Sequence, residues 1–420
     1  MIEKKHNPYS SLLIRDFRLF LSMRMLLTIG LEMQATVVSW KVFSMTRDEF
    51  SLGLIGLAEV IPYLILALFG GHIADLLNRK KIIAWCLLVL TLGSLSLFVF
   101  TLPGVPILAR FGVVPIYANI VLIGILRGFH APAQNAFFGQ LLPREEFTNG
   151  ATWSSNIWQF SAVAGPTLGG LIYWLFNIQV ALGTVCVLIF LSALSTLLIK
   201  TKGVPEKRAR EPLKQSLTVG LRFVFKNQVM LGALTLDLFA VLFGGAVALI
   251  PAFVVRMGLG PEAAGMMRAA PFLGSVITGL FLAYRPPVKG SGRKLLFAVT
   301  GFGLATVGFA LSHNFLLSLF MLFLTGAFDN VSVVIRQTIV QLMTPDEMRG
   351  RVSSVNGIFI GSSNEIGAFE SGAAAKLMGL VPSVIFGGCM TLLVVTIAYF
   401  RAPVLRRFSI LKLKQEKMNT

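Results

Sequence analysis

Apolar runs dominate this chain, and the breaks between them are short and mostly basic. A helix needs about 20 predominantly apolar residues to cross a bilayer. Runs of that length lie at 17–45, 50–75, 81–102, 115–141, 147–175, 178–199, 228–256, 262–285, 294–312, 315–342, 348–376 and 380–401. The pattern predicts twelve transmembrane helices. Several are longer than a perpendicular crossing needs, which predicts tilt or kinks.

The longest polar break, KTKGVPEKRAREPLKQSLTVGLRFVFKNQ at 200–228, divides the spans into six and six. The predicted organisation is an N-terminal six-helix bundle at 1–199, a cytoplasmic linker at 200–227 and a C-terminal six-helix bundle at 228–420. Within the linker, Leu213, Leu217, Leu221, Val224 and Phe225 recur at helical spacing, with Lys214 and Arg222 off that ridge. This predicts an amphipathic helix on the cytoplasmic leaflet or, alternatively, a partner-binding segment.

The halves repeat weakly. LPREEFTNGATWSSN follows the fourth span and TPDEMRGRVSSVN follows the tenth. Aligning Pro143 with Pro345 also pairs Arg127 with Asp329 and Gly165 with Gly367. Parallel six-helix repeats related by an axis along the membrane normal are one transporter architecture. The expected fold class is therefore all-α integral membrane, two six-helix bundles with pseudo-twofold symmetry. Thr344-Pro345-Asp346-Glu347 reads as a capping box with proline at the first helical position, opening the eleventh helix.

Composition agrees. The chain is 55% hydrophobic and 13% charged, against about 25% charged in soluble domains, and its mean hydropathy is +0.77. A formal net charge of +18 would suggest nucleic acid in a soluble chain. Here the charge sits in loops. With the N-terminus inside, 28 of the 37 basic residues fall on the cytoplasmic side, so the positive-inside rule places both termini there. The first 20 residues lack the apolar segment and small-residue cleavage site of a removable signal peptide. Cys86, Cys186 and Cys389 lie inside apolar runs and read as core fillers.

GGHIADLLNRKK, residues 70–81, joins the second and third spans. It resembles the signature loop of the major facilitator superfamily, with Gly71, Asp75, Arg79 and Lys80 in the motif positions and Asn78 where the family usually has glycine. SAVAGPTLGGLI, residues 161–172, resembles the superfamily's fifth-helix antiporter motif through Gly165, Pro166, Gly169 and Gly170, with Ser161 replacing the leading glycine. Arg127 in GILRGFHAPAQNA stands where many members carry a fourth-helix arginine. LDLFAVLFGGAVALIPAF and GAFDNVSVVIRQTIVQLMTPDEMRGRVSSVNGIFIGSSNEIGAFESG look like the enterobactin-exporter-like, transmembrane secretion effector branch, which also holds macrolide efflux proteins.

The resemblance implies roles. Asp75 would meet the positive end of the eleventh-helix dipole and hold the cytoplasmic side closed, with Arg79, Arg349 and Arg351 completing a charge network. An ordinary cytoplasmic turn is the alternative. The fifth-helix glycines permit close backbone approach, and Pro166 removes a helix hydrogen bond. A hinge or seal is expected there, static packing being the alternative.

A charge near mid-bilayer costs at least ~2.5–3.5 kcal/mol on insertion scales, so such groups face cavities or partners. By depth, Glu32, Arg127, Asp329 and Glu365 lie near mid-membrane. Asp237 and Arg336 lie nearer the cytoplasm, Glu59 and Glu370 nearer the outside. Thr28, Glu32 and Thr36 form an i, i+4 ridge. Carboxylate affinity for protons rises on desolvation and falls beside arginine. A carboxylate that gains or loses a cation as the halves rock therefore takes up or releases a proton. Glu32, Asp329, Arg127, Asp237 and Glu365 are the candidate coupling residues; fixed ion pairs that hold helices together are the alternative. Glu365 and Glu370 lie about 140° apart around a helix and cannot share one narrow wall, so Glu365 is assigned to the cavity. Gly357-x-x-x-Gly361 and Ser363-x-x-x-Gly367 supply small faces for helix packing.

Trp40, Trp153, Trp158, Phe243, Phe137 and Phe138 are candidates for an aromatic cavity suited to a large amphipathic substrate, with Arg336 also assigned to substrate binding. His72 and His130 are isolated, and no spacing suggests a metal site. No phosphate-cradling loop, nucleophile with a base or nucleotide site is legible, so no enzyme activity and no cofactor beyond a proton gradient are expected. The expected function is proton-coupled export of a siderophore or hydrophobic drug by alternating access. The expected protein is a monomer in the bacterial cytoplasmic membrane whose partners are substrate, protons and lipid, with no nucleic acid. A lipid or lysolipid translocase and a non-transporting sensor or assembly factor are the competing expectations.

Overall fold

A computed structural model describes residues 8–200, 213–345, 348–411 and 413. Among them the structure is helical throughout, with no strand. The helices are α1 Arg15–Thr46, α2 Glu49–Leu76, α3 Arg79–Phe100, α4 Ile107–Phe111, α5 Val114–Leu141, α6 Phe147–Leu175, α7 Ile178–Leu198 and α8 Leu213–Lys226. They continue with α9 Gln228–Phe243, α10 Ile250–Arg256, α11 Pro261–Tyr284, α12 Ser291–Leu311, α13 Phe315–Met343, α14 Arg349–Met378, α15 Leu380–Arg401 and α16 Pro403–Arg407.

Asparagines start four of these helices. Asn78, Asn177, Asn227 and Asn314 each accept a backbone N–H three residues on, at 3.1, 2.8, 3.0 and 3.2 Å. Such a cap contributes about 0.5–2 kcal/mol. Asn78, the departure from the family's loop pattern, is thus the cap of α3. Pro62, Pro132, Pro166 and Pro271 lie inside α2, α5, α6 and α11, each removing one helix hydrogen bond.

Nine stretches of the described helices are long and apolar enough to cross a membrane, against twelve expected. The other three expected spans are α1, α6 and α14, of 32, 29 and 30 residues. Their length suffices, but their composition is more polar. α1 carries Arg24, Glu32 and Lys41, α14 carries Glu365, Glu370 and Lys376, and the first half of α6 is rich in Thr, Asn and Ser.

The chain forms two compact units. One comprises 1–45 and 61–208, the other 46–60 and 209–420. The division crosses α2, whose first turns through Val60 belong to the second unit. The first unit's core centres on fully buried Phe17, Phe20 and Phe137, with Phe138 meeting Phe17 edge-on at 6.0 Å. The second has a core of Val229, Leu236, Leu295, Ile335, Ile339 and Leu405.

One side of the linker helix α8 packs within the second unit. Val224 is buried with Met230, Leu234, Val340 and Val352, on α9, α13 and α14. Phe225 is 61% exposed. The side chains of Leu213 and Leu217 lie outside the described ones.

Candidate transport site

In the first unit, Glu32 lies where α6 presses on α1. A β-carbon added to Gly165 would sit 2.6 Å from Glu32 Cβ and 2.9 Å from the Ile29 carbonyl oxygen. One turn on, a β-carbon at Gly169 would sit 3.0 Å from Met33 Cα. Gly165, Pro166, Gly169 and Gly170 are all buried. The glycines of the fifth-helix motif thus bring two backbones together beside a carboxylate.

Gln34 is about 200° round α1 from Glu32. It is buried and accepts from Ser94 Oγ at 2.5 Å, and its Nε2 donates to Asn119 Oδ1 at 3.4 Å. Asn119 Nδ2 donates to the Gly93 carbonyl at 2.7 Å. This network across α1, α3 and α5 is uncharged, so the placement of charges along the sequence does not reveal it. Its signal is three uncharged polar residues at the depth of apolar spans.

Arg127 on α5 stands over the Tyr63 ring, 4.9 Å from its centroid. That cation–π contact draws α2 and α5 together where Gly70 and Gly128 also meet. Gly71, the motif glycine expected from sequence, has no neighbour within 4 Å of an added β-carbon among the described residues; the close approach is at Gly70. Asp75 pairs with Arg79 at 3.7 Å. Arg79 also donates from Nε to the Ala74 carbonyl at 3.2 Å and from Nη1 to Ala136 at 3.4 Å. Lys80 Nζ donates to the carbonyls of Leu197 and Ile199 at 2.9 and 2.5 Å. The loop therefore ties together the ends of α2, α5 and α7. The side chains of Arg349 and Arg351 lie outside the described ones.

The aromatic candidates separate. Phe137 and Phe138 belong to the first unit's core. Trp153 Nε1 donates to the Pro8 carbonyl at 3.0 Å, and its ring meets Tyr9 at 5.9 Å. Asn149 also donates to Pro8, at 2.8 Å, and Ser10 and Ser11 bond to Glu146 and Asn149. Trp153 thus straps the N-terminal segment to the start of α6. Trp40 is half-buried on α1, and Trp158 is 41% exposed on α6.

In the second unit, Asp237 of α9 pairs with Arg336 of α13, their side chains 8% and 3% exposed. Asp237, Asp329 and Ser332 line one cavity of about 10 Å³, closed by Phe302 and Phe328. That volume admits about one water-sized molecule. Asp329, Ser332 and Arg336 share one face of α13 by their spacing. Ser332 Oγ and Arg336 Nε are buried and find no hydrogen-bond partner among the described residues. Two carboxylates thus face one small cavity, and one of them, Asp237, is paired with Arg336.

The seventh span is broken above this cluster. α9 ends at Gly244, a 3-10 segment runs from Gly245 to Leu249, and α10 follows with Pro251 near its start. A β-carbon at Gly245 would meet Ser371 Oγ at 2.6 Å, and one at Gly367 would meet the Val241 and Leu242 carbonyls at 2.8 Å. Of the α14 small faces expected from sequence, the one ending in Gly367 packs here, whereas Gly357 is exposed with nothing within 4 Å of an added β-carbon among the described residues. Phe243 stacks on Phe239 at 6.3 Å and meets Phe386 edge-on at 6.4 Å. Glu365 is half-buried, with Gly56 of α2 against its backbone carbonyl. Farther along α14, Lys376 bonds Asp48 at 3.4 Å and lies 5.2 Å from the Phe50 ring centroid.

A model of the Major Facilitator Superfamily matches residues 20–368. The chain belongs to this superfamily. It is a multi-pass membrane transporter and not an enzyme. Among curated relatives, Enterobactin exporter EntS of Citrobacter koseri is 24% identical over 399 residues, covering 92% of this chain and 94% of the exporter. That of Shigella flexneri is 25% identical over 399 residues, covering 93% of each. Among solved structures, a POT family transporter in complex with 5-aminolevulinic acid aligns with a TM-score of 0.72 at 11% identity, over 93% of this chain and 96% of its own. A bacterial homolog of the human lysosomal transporter Spinster, inward-facing and occupied, gives 0.70 at 14% identity, over 96% and 99%. These likenesses establish the superfamily fold.

Proposed function

We propose that this transporter exports a bulky amphipathic small molecule, of the siderophore class, in exchange for protons by alternating access. The observation that carries the reading is the buried Asp237–Arg336 pair beside Asp329. Two carboxylates and one arginine leave one negative charge to balance, and a proton balances it. A proton reaching this cluster loosens the hold of Asp237 on Arg336, and the arginine becomes available to a second anion. Catecholate or carboxylate groups of a siderophore have that chemistry. In the first unit, Glu32 beside the α1–α6 glycine contact is the second candidate carrier, with Arg127 as the modulating cation. Exporter-named relatives covering over 90% of the chain support the siderophore class.

We place the protein in the bacterial cytoplasmic membrane with both termini inside, from its loop charges. The test is uptake into inverted membrane vesicles under an imposed pH gradient, across catecholate siderophores and hydrophobic drugs. The proposal expects gradient-dependent siderophore accumulation that Asp329→Asn abolishes. Accumulation indifferent to the gradient would contradict it. The competing translocase reading predicts movement of labelled lysolipid in the same vesicles instead.

A further inference from the structure

α9 and α15 enclose a groove of about 710 Å³ on the second unit, separate from the Asp237 cluster. Its walls are two ridges at i, i+4 spacing. Leu231, Thr235, Phe239 and Phe243 line one, and Leu393, Ile397 and Arg401 the other. Seventeen residues form the lining; Arg401 is the one cation and none is acidic. At the Gln228 end α16 folds across, so that Leu405 packs against Gly232, where a β-carbon would lie 3.2 Å from Leu405 Cδ2. At the other end Phe243 and Phe386 meet edge-on.

Dimensions and charge select an occupant. From Gln228 to Phe243 the lining residues of α9 rise about 22 Å, against a hydrocarbon core of about 30 Å. The groove is therefore long enough to hold an extended acyl chain. Arg401 lies at its mouth and is exposed, and its side chain makes no hydrogen bond or ion pair among the described residues. Its neighbour Arg406 is held elsewhere, donating to the Tyr399 carbonyl at 3.3 Å and standing 4.5 Å from that ring's centroid. Lys226 and Arg407 add exposed positive charge at the same end. An apolar channel of that length with a cation at its mouth fits an amphiphile whose anionic group lies at the membrane surface.

We infer that this groove binds one anionic glycerophospholipid, an acyl chain lying between α9 and α15 and its phosphate on Arg401. The groove opens along α9 and α15, and its lining includes none of Asp237, Asp329 and Arg336, the residues of the proposed coupling cluster. The inference rests on the membrane placement of the chain and not on the substrate reading.

The test is native mass spectrometry of the purified full-length protein, delipidated and then offered phosphatidylglycerol and phosphatidylcholine with identical acyl chains. Wild type is expected to retain one lipid, preferring phosphatidylglycerol by about fivefold, the ratio given by the ~1 kcal/mol that one basic residue near a membrane surface supplies. Arg401→Gln should reduce the preference to near unity, and Arg401→Lys should keep it. Ile397→Trp, at an exposed groove wall, should fill the channel and remove retention of both lipids. Unchanged preference in Arg401→Gln, unchanged retention in Ile397→Trp, or no retained lipid on wild type would each overturn the inference. Displacement of the lipid by added siderophore would also overturn it, making the groove a cargo site.

Discussion

Gly165 of α6 rests on Glu32 of α1, so closely that a β-carbon on the glycine would lie 2.6 Å from that of the glutamate. The fifth-helix motif is thereby tied to a specific carboxylate. The contact requires a residue without a side chain, since the Ile29 carbonyl oxygen is also only 2.9 Å away. Overpacking a tight interface costs about 1–3 kcal/mol. Gly165→Ala is therefore expected to lower thermal stability in detergent and to cut transport. Gly71→Ala, which meets open space among the described residues, should leave stability unchanged. Equal melting temperatures for Gly165→Ala and wild type would show that the helices do not touch there.

The Asp237–Arg336 pair predicts asymmetry between breaking and replacing it. Removing one partner of a buried pair costs about 3–5 kcal/mol, whereas replacing both with apolar residues can be neutral or stabilising. Arg336→Met is expected to destabilise strongly. The double change Asp237→Leu with Arg336→Met should recover stability while remaining inactive in gradient-driven transport. Chemical denaturation of both variants, beside a transport assay, separates the structural role from the coupling role.

Lys80, in the first turn of α3, donates to the Leu197 and Ile199 carbonyls at the end of α7. Cations at helix C-termini contribute about 0.3–1 kcal/mol when exposed. Lys80→Met should lower the melting temperature slightly, and Lys80→Arg should retain most of the stability. Hydrogen exchange at the end of α7 should rise in the methionine variant; unchanged protection would mean that the bonds are not made in the membrane.

Trp153 offers an optical check. Its indole N–H bonds the Pro8 carbonyl, so deleting the segment through Tyr9 should change Trp153 fluorescence. Trp158→Phe should leave that change intact. Siderophore binding that quenches Trp153 equally with and without the segment would assign Trp153 to the substrate path instead.

The apolar runs made the spans legible because run length alone registers bilayer thickness. The 3-10 break at Gly245–Leu249 was not legible from hydropathy, since an unwound apolar segment is as apolar as a helical one. Gly244, Gly245 and Pro251 were its signal. Depth along a helix placed Asp237 and Arg336 near one another in height, but sequence does not say which faces of α9 and α13 meet. The pairing of Arg336 with Asp237 is what the structure adds to the substrate assignment of that arginine. Trp153 looked like cavity lining because its partner is a backbone carbonyl far away in sequence. Asn78 looked like a flaw in the loop motif and is a helix cap.

The most direct test of proton coupling is a proton flux measured on adding substrate. Inverted vesicles holding the protein are acidified inside, and a pH-sensitive dye follows the lumen when a catecholate siderophore is added outside. The account predicts a siderophore-dependent loss of luminal protons with wild type and none with Asp329→Asn or Asp237→Asn. Siderophore uptake that proceeds without proton movement, or proton movement that survives in both variants, would contradict it.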